Sequence, residues 1–590
     1  MFLREHQRKK DGKSHTYWSL VETVRTPNGP RQRTLCYLGE LNGSAQSRWT
    51  KTIEVFNAEG ESHQLSLFPE QAETIPDDAG VARVILDRVR LERSRQFGNC
   101  YLGLELWRRL KLDQFFEERV DGETADVAWS RIAALLAINR LCDPGSELAI
   151  ERRWYPATAL DDLLGIEEGK VNDSRLYRCL DRIVGQKTEL ERHLRQRYGE
   201  LFAANFDVLL YDLTSSYVEG SAESNPMMTW GYSRDHRPDC KQVVIALIVN
   251  EDGFPLSYET FNGNRRDVTT LEVMMRMVER KYGKARRIWV FDRGIISEEN
   301  LAAVRRRDGQ YLVGTPRSAL KQFEQQILDG TWTQIRADVE VQRVPIPSGE
   351  ETYILCRSTA RQEKEKAIRK RFSTSMEQAL QNLETRIASG RLKDPLKIER
   401  TLGKIQARHP SVSDLYRVAV RNQPTLRLDW SLIEDRRKWR DAREGTYLLR
   451  TNLKEQSAEQ LWTRYIQLTE AEAAFRALKT ELAIRPIYHQ KEHRVKAHIL
   501  VAFLGYALWV TLKHLLQRKH IQLSPARALA LLSTIQSADI ILPTTDHREI
   551  RLRRITTSNT EQKRLLDQLG ITLPNRLNVD FECSADSATD

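Results

Sequence analysis

The chain has few of the features that tie a protein to a membrane or to the cell exterior. Its seven cysteines (Cys36, Cys100, Cys142, Cys179, Cys240, Cys356 and Cys583) lie far apart with no CxxC pair. That spacing argues against a zinc ribbon and a disulfide framework and leaves ordinary reduced thiols. No apolar run approaches the ~20 residues needed to span a bilayer. The longest, Ile499 to Leu512, is interrupted by Gly505 and reads as a buried helix. Met1 to Lys13 is charged from the start and lacks the apolar core of a secretory signal, so a cytoplasmic location without a membrane partner is expected. Internal repeats and low-complexity blocks are also missing.

What the chain does carry is positive charge. It has 590 residues, 40% hydrophobic and 29% charged, with a net charge of +11, a globular composition large enough for two to four domains. A basic balance favours a polyanionic partner, with nucleic acid and an anionic membrane surface both open on composition alone.

Residues 1–53 read as a small basic β-rich unit. Apolar and polar residues alternate through Tyr17 to Val24 and Arg33 to Leu38, with Pro27-Asn28-Gly29 as the turn, among Arg4, Arg8, Lys9, Lys10, Lys13, Arg25, Arg31 and Arg33. Such a ribbon suits phosphate contacts, or is a solvated surface. Residues 54–81, acidic and holding Pro69 and Pro76, read as a linker, and 82–200 as a helical domain with Leu102, Leu104, Leu106 and Leu110 on one face.

From 201 to 319 the pattern becomes mixed α/β. The strand Val208 to Tyr211 precedes a hairpin, Gln242 to Asn250 and Phe254 to Phe261, turned by Glu251-Asp252-Gly253. A capping box, Thr269 to Glu272, opens a helix to about Tyr282. The strand Arg287 to Phe291, a helix capped by Ser297 and the strand Tyr311 to Thr315 follow. Residues 320–445 read as an inserted subdomain with a helical arm, in which Ile368, Phe372, Met376, Leu380, Leu383 and Ile387 recur at helical spacing. Residues 446–540 resume the core with the strand Tyr447 to Thr451 and a helix opened by the capping box Ser457 to Gln460. The remainder, 541–590, ends in a small, polar, acidic tail expected to be disordered.

In the helix after Ser457, positions 461, 465, 468, 472, 475, 479 and 482 alternate steps of four and three and so share one face. Glu472 and Lys479 stand in that otherwise apolar stripe. A charge there costs several kcal/mol unless paired or bound, and two helical turns, roughly 10 Å, are too long for a direct salt bridge. Glu472 is therefore expected to meet another cation. Asp212 and Asp292 each follow a buried strand. An Asp there is more often a turn former or cap, but the succession of strand, hairpin, helix, strand, helix, strand and helix is that of a ribonuclease H-like α/β core. Such a core sets the first strand beside the later parallel one, and Asp212 beside Asp292. Three carboxylates at one point repel one another and call for cations. Hard oxygen ligands with open positions suit Mg²⁺, with Mn²⁺ able to substitute, and two such ions support phosphodiester chemistry.

The spacing Tyr465, Leu468, Glu472, Lys479 resembles the Tyr-Arg-Glu-Lys catalytic helix of bacterial insertion-sequence DDE transposases, with Leu468 in the Arg place. Tyr211-Asp212-Leu213-Thr214-Ser215, Phe291-Asp292-Arg293-Gly294 and Arg485-Pro486-Ile487-Tyr488-His489 are similar to one subgroup, and the likeness extends to the basic N-terminus. The resemblance implies cleavage at the terminal inverted repeats of a mobile element and strand transfer into double-stranded target DNA. It implies Asp212, Asp292 and Glu472 as catalytic metal ligands, and Tyr465 and Lys479 on DNA phosphates. Arg476, one turn beyond Glu472, is a candidate for the missing guanidinium. A homodimer is expected, because two element ends must be joined in one complex. The alternatives are a ribonuclease H-like nuclease without strand transfer, or a catalytically silent DNA-binding derivative. Of lesser candidates, His489, His493 and His498 read as surface or DNA-facing residues rather than a zinc site. Trp230, Tyr232 and Arg234 could clamp a nucleotide or pack in the core, and Asn264 to Asp267 read as a polar turn or a helix cap.

Overall fold

The computed structural model describes residues 84–574 except 123–125, 346–349, 423–424 and 545–548, together with the backbone of five strands between residues 2 and 66. The chain divides into two compact units: Met1–Arg109, Gly145–Leu176 and Leu515–Asp590 form one, and Leu110–Pro144 with Tyr177–His514 the other.

In the first unit, Lys13–Thr26 pairs antiparallel with Gly29–Glu40 with Thr26 opposite Gly29, so the expected hairpin forms, and Phe2–Lys10 adds a third strand. The side chains of its basic residues and the polar tail lie outside the described residues. The stretch read as a linker holds a second pair, Thr52–Phe56 with Ser62–Ser66. The region read as wholly helical contributes the strand Arg90–Gln96, which pairs with Gln536–Pro543, itself paired to Glu549–Ile555. Long-range partners stabilise so polar a strand: the pairing with Gln536–Pro543, and the ion pairs of Arg95 with Asp161 and Asp162. Fully buried Asp539 and the Arg553 guanidinium opposite it on the neighbouring strand share two hydrogen bonds, at 2.7 and 3.0 Å.

The second unit is built on a nine-stranded mixed sheet. Its strands are β1 (Val208–Tyr217), β2 (Gln242–Val249), β3 (Pro255–Asn262), β4 (Ile288–Phe291), β5 (Gln310–Gly314), β6 (Thr333–Arg336), β7 (Val339–Pro345), β8 (Thr352–Ser358) and β9 (Thr446–Thr451). Their order across the sheet is β6-β7-β8-β9-β5-β4-β1-β2-β3. β1, β4 and β5 are mutually parallel and central, and every residue of β2 and β4 is buried, as a strand covered on both faces requires. The β2–β3 turn has Gly253 at φ +87°, open to a residue without Cβ, while Asn250 Oδ1 accepts the amides of Asp252 and Phe254.

Among its helices are α1 (Leu271–Tyr282), α2 (Glu298–Arg305), α3 (Ala458–Ile466), α4 (Leu468–Thr480) and α5 (Glu492–Arg518). The caps expected at Ser297 and Ser457 form, the latter as a full box with Gln460. The box expected at α1 does not. Thr269, the expected cap, ends a short 3-10 turn and its hydroxyl donates to Arg266 O at 2.8 Å, while Thr270 takes the cap position with its hydroxyl donating to Asp267 O at 2.5 Å and accepting from Tyr211 Oη at 2.6 Å, so neither hydroxyl caps the helix amides. α5 is long and apolar enough to cross a bilayer, but 78% of its most apolar window is buried inside the protein. Its Gly505 gives passage to Arg140, whose Cγ would lie 2.8 Å from an added Cβ and whose guanidinium reaches Ala483 O at 3.1 Å.

The 320–445 segment is not separate from the sheet. It supplies β6, β7 and β8, and β8 pairs antiparallel with β9, Arg357 opposite Thr446. Between them runs the arm, the helix Thr359–Ala388, which buries Met376, Leu380, Leu383 and Ile387 against Pro395–Arg408 and a two-stranded ribbon. Ile368, read as part of that stripe, is exposed.

Candidate active site

Register brings the two aspartates together. β4 pairs with β1 from Ile288 opposite Val208 to Phe291 opposite Tyr211, then stops. β1 continues to Tyr217 on β2 alone, so Asp212 lies within a strand rather than at its end, at the point where its neighbour on one side is lost. Asp292 is the next residue of the vanished partner. The opening beside Asp212 is thus made by the shortness of β4.

Asp212 is half-buried, and its carboxyl is pushed up to about 7. Burial is the main cause. The charges of Glu472 and Asp292 add to it, against the Leu213 amide and the Arg234 guanidinium. Asp292 is exposed and accepts a hydrogen bond from Tyr465 Oη at 3.3 Å. Burial, then the field of Asp292, hold that phenol far above its ordinary range, so it stays a donor. Gly314 of β5 leaves room for this pair. A Cβ there would come inside van der Waals contact of Tyr465 Oη and within 3.4 Å of Asp292 Oδ1.

The third acid arrives differently from the sequence expectation. The helix after Ser457 breaks at Gln467, so α3 and α4 are separate and the buried face of α4 is Leu468, Ala471, Ala474, Phe475 and Leu478. Glu472 is exposed on the flank of that face, not in the stripe. It reaches Asp212 through its charge. Among the described residues no three His, Cys, Asp or Glu side chains converge tightly enough to hold an ion as they stand. The donor set is nonetheless all hard oxygen, and beside the burial that chiefly raises the Asp212 carboxyl, the charges of Glu472 and Asp292 add a repulsion that a cation relieves.

Lys479 is half-buried and hydrogen-bonds Asp235 Oδ1 at 2.7 Å, an oxygen it shares with Arg485. Arg476 is exposed, and among the described residues its guanidinium makes no hydrogen bond or ion pair. Leu468, where the resembling family has Arg, packs in the core. A cavity of about 490 Å³ opens beside Asp292 and Tyr465, with Arg293, Arg317, Arg336 and Arg361 on its walls. Trp230 and Tyr232 are exposed, so the core-packing alternative for Trp230 is excluded. Asp267 binds the Arg234 guanidinium through both oxygens, at 2.7 and 2.6 Å. The histidines correct their expectation. His489 and His498 are buried, His498 lying 3.0 Å from Ile484 O, and only His493 is exposed, 3.1 Å from Asp181. Asp235 was not singled out by sequence reasoning. It lies in a loop without periodicity, and its neighbour Arg234 was the only local signal.

Residues 204–508, more than half the chain, match the family model described as the transposase DDE domain. Residues 3–60 match the IS1634 family transposase N-terminal domain. The chain therefore belongs to the DDE transposase family. It is an enzyme that cleaves and joins DNA strands, and enzymes of this family work with divalent metal ions. No curated protein sequence is significantly similar to it. Among solved structures, the piggyBac transposase in a synaptic complex with hairpin DNA is similar over 76% of this chain and 82% of that one, at 8% identity and a TM-score of 0.36, a likeness too loose to bear on fold or mechanism.

Proposed function

We propose that the sheet around β1, β4 and β5 is a ribonuclease H-like catalytic core and that Asp212, Asp292 and Glu472 are its metal ligands. On this reading the protein cuts at the terminal inverted repeats of its insertion sequence and transfers the ends into target DNA, in the cytoplasm and as a homodimer. The observation that carries it is the register of Phe291 on Tyr211, which sets Asp292 beside Asp212, a carboxyl raised by burial and further by the charges of Glu472 and Asp292. Mg²⁺, or Mn²⁺ in its place, would supply there the Lewis acid that activates water or a 3′-hydroxyl and stabilises the leaving oxygen.

The protein's own groups account for the rest. Tyr465 donates to Asp292 and thereby orients it on the side facing the arginine-lined cavity, which suits a phosphate backbone. Tyr465 on α3 and, on α4, Arg476, exposed one turn from Glu472, and Lys479 are the DNA contacts. Preorganised positive charge of this kind stabilises a pentacoordinate phosphate as charge develops on it.

The test is end cleavage by the purified full-length chain on duplex DNA carrying its element's ends, with Mg²⁺ or EDTA, comparing wild type with Glu472→Gln. Metal-dependent cleavage lost in the variant with DNA binding retained is the expected result. Equal activity in both proteins removes Glu472 and the active-site assignment with it.

A further inference from the structure

We propose that Asp235 is a positioning residue, which holds Lys479 and Arg485 together as a double cation for a DNA phosphate beside the three carboxylates; the inference rests on the active-site reading above. Both cations approach one carboxylate oxygen, Oδ1, Lys479 at 2.7 Å. The Asp235 side chain is only 3% exposed. Its other oxygen, Oδ2, is buried without a hydrogen-bond partner among the described residues.

The loop that carries Asp235 is itself held. Its neighbour Arg234 donates its amide to Ser215 Oγ of β1 at 3.1 Å and its guanidinium to Asp267. Asp235 is thus fixed relative to the strand that bears Asp212, and through Lys479 and Arg485 it fixes the end of α4 and the segment after it. Lys479 lies two helical turns beyond Glu472, so the cations are set at a defined place along the helix that bears the third acid.

Charge balance says what such a site would receive. Two cations brought to one point repel each other; the anion between them makes the arrangement stable. One carboxylate against two cations still leaves surplus positive charge, and burial already lowers the proton affinity of Lys479, with Arg485 and Arg234 adding to the effect. A phosphate arriving there meets donors whose side-chain freedom was lost on folding rather than on binding. Without Asp235 the two side chains lose the anion that places them.

This separates positioning from simple electrostatics. Removing an anion from a DNA-binding face strengthens attraction for DNA, whereas removing a positioning group slows the reaction. The experiment uses the full-length chain and duplex DNA of the element's ends, with affinity measured in EDTA across a salt series and cleavage measured in Mg²⁺, for wild type, Asp235→Asn, Lys479→Met and the double variant. Asp235→Asn is expected to lower the cleavage rate constant about 10- to 100-fold with DNA affinity unchanged or tighter. In the Lys479→Met background the same change is expected to lower the rate less than about 3-fold further, because the residue it acts through is gone. Wild-type cleavage by Asp235→Asn, an equal loss of binding and cleavage, or an undiminished loss in the Lys479→Met background each overturns the proposal. If Asp235→Asn melts below the assay temperature, Asp235→Ser takes its place in the same cycle with the same criteria. Absence of metal-dependent cleavage in the wild type would instead overturn the active-site reading on which this one rests.

Discussion

Gly314→Ala tests the geometry around Asp292 without replacing a reactive group. Gly314 is buried in β5 opposite Leu449, and its φ is not among the positive values, so the backbone accepts alanine. The new methyl would press on Tyr465 Oη, lie 3.2 Å from its Cζ and 3.4 Å from Asp292 Oδ1. Overpacking of a buried site costs about 1–3 kcal/mol, and the loss of unfolded-chain freedom on Gly→Ala returns about 0.4–1 kcal/mol. The net destabilisation is therefore about 0–2.6 kcal/mol. Tyr465→Phe alone gives up one long hydrogen bond, about 0.5–1.5 kcal/mol. It also removes the atom the methyl meets first, so the double variant should be less destabilised than the sum by about 1 kcal/mol. Calorimetric melting of the four proteins in EDTA measures this coupling, and end cleavage should fall in Gly314→Ala with DNA affinity retained. Additivity within about 0.5 kcal/mol would show that Gly314 and Tyr465 do not share this space, and the account of Tyr465 orienting Asp292 would fall.

Two further expectations follow from burial. The Asp212 carboxyl is raised to about 7, above the unfolded value of about 3.9, so its contribution to stability is fully present below roughly pH 4 and is lost as pH rises through 7. In EDTA, Asp212→Asn should therefore melt above wild type at pH 8, with a gap that closes toward pH 4, and Mg²⁺ should raise wild type alone; a gap independent of pH would refute the assignment of cause. Burial also pushes the Cys179 and Cys356 thiols far up, so neither should react with iodoacetamide at pH 8 until the chain is unfolded; stoichiometric alkylation of native protein would contradict their packing.

What was legible in the sequence was local and strongly patterned. The run Gln242–Val249, the Asp-Gly turn after it and the Ser457 box each carry their instruction in a few adjacent residues, and they form as read. The break at Gln467 was not legible. Gln467-Leu468-Thr469 contains neither Gly nor Pro, so tertiary packing of Leu468 sets the new phase, and that shift moves Glu472 from the apolar stripe to its flank. Asp212 and Asp292 were findable because buried strands precede them. Asp235 was not, since its partners Lys479 and Arg485 lie more than two hundred residues away. The union of β6, β7 and β8 with the main sheet escaped for the same reason: strand pairing across such distances leaves no periodic trace.

The pairing of Arg357 with Thr446 also bears on the arm between them. Topologically, Thr359 to Gly445 is the loop of a β-hairpin, long enough to hold the helices Thr359–Ala388, Pro395–Arg408 and Glu434–Arg443 and a ribbon of its own. Its two ends emerge side by side, so lengthening or replacing what lies between them changes no strand register, and loop-closure entropy rises only slowly with length. Such a doorway leaves the register of the sheet indifferent to what the arm contains.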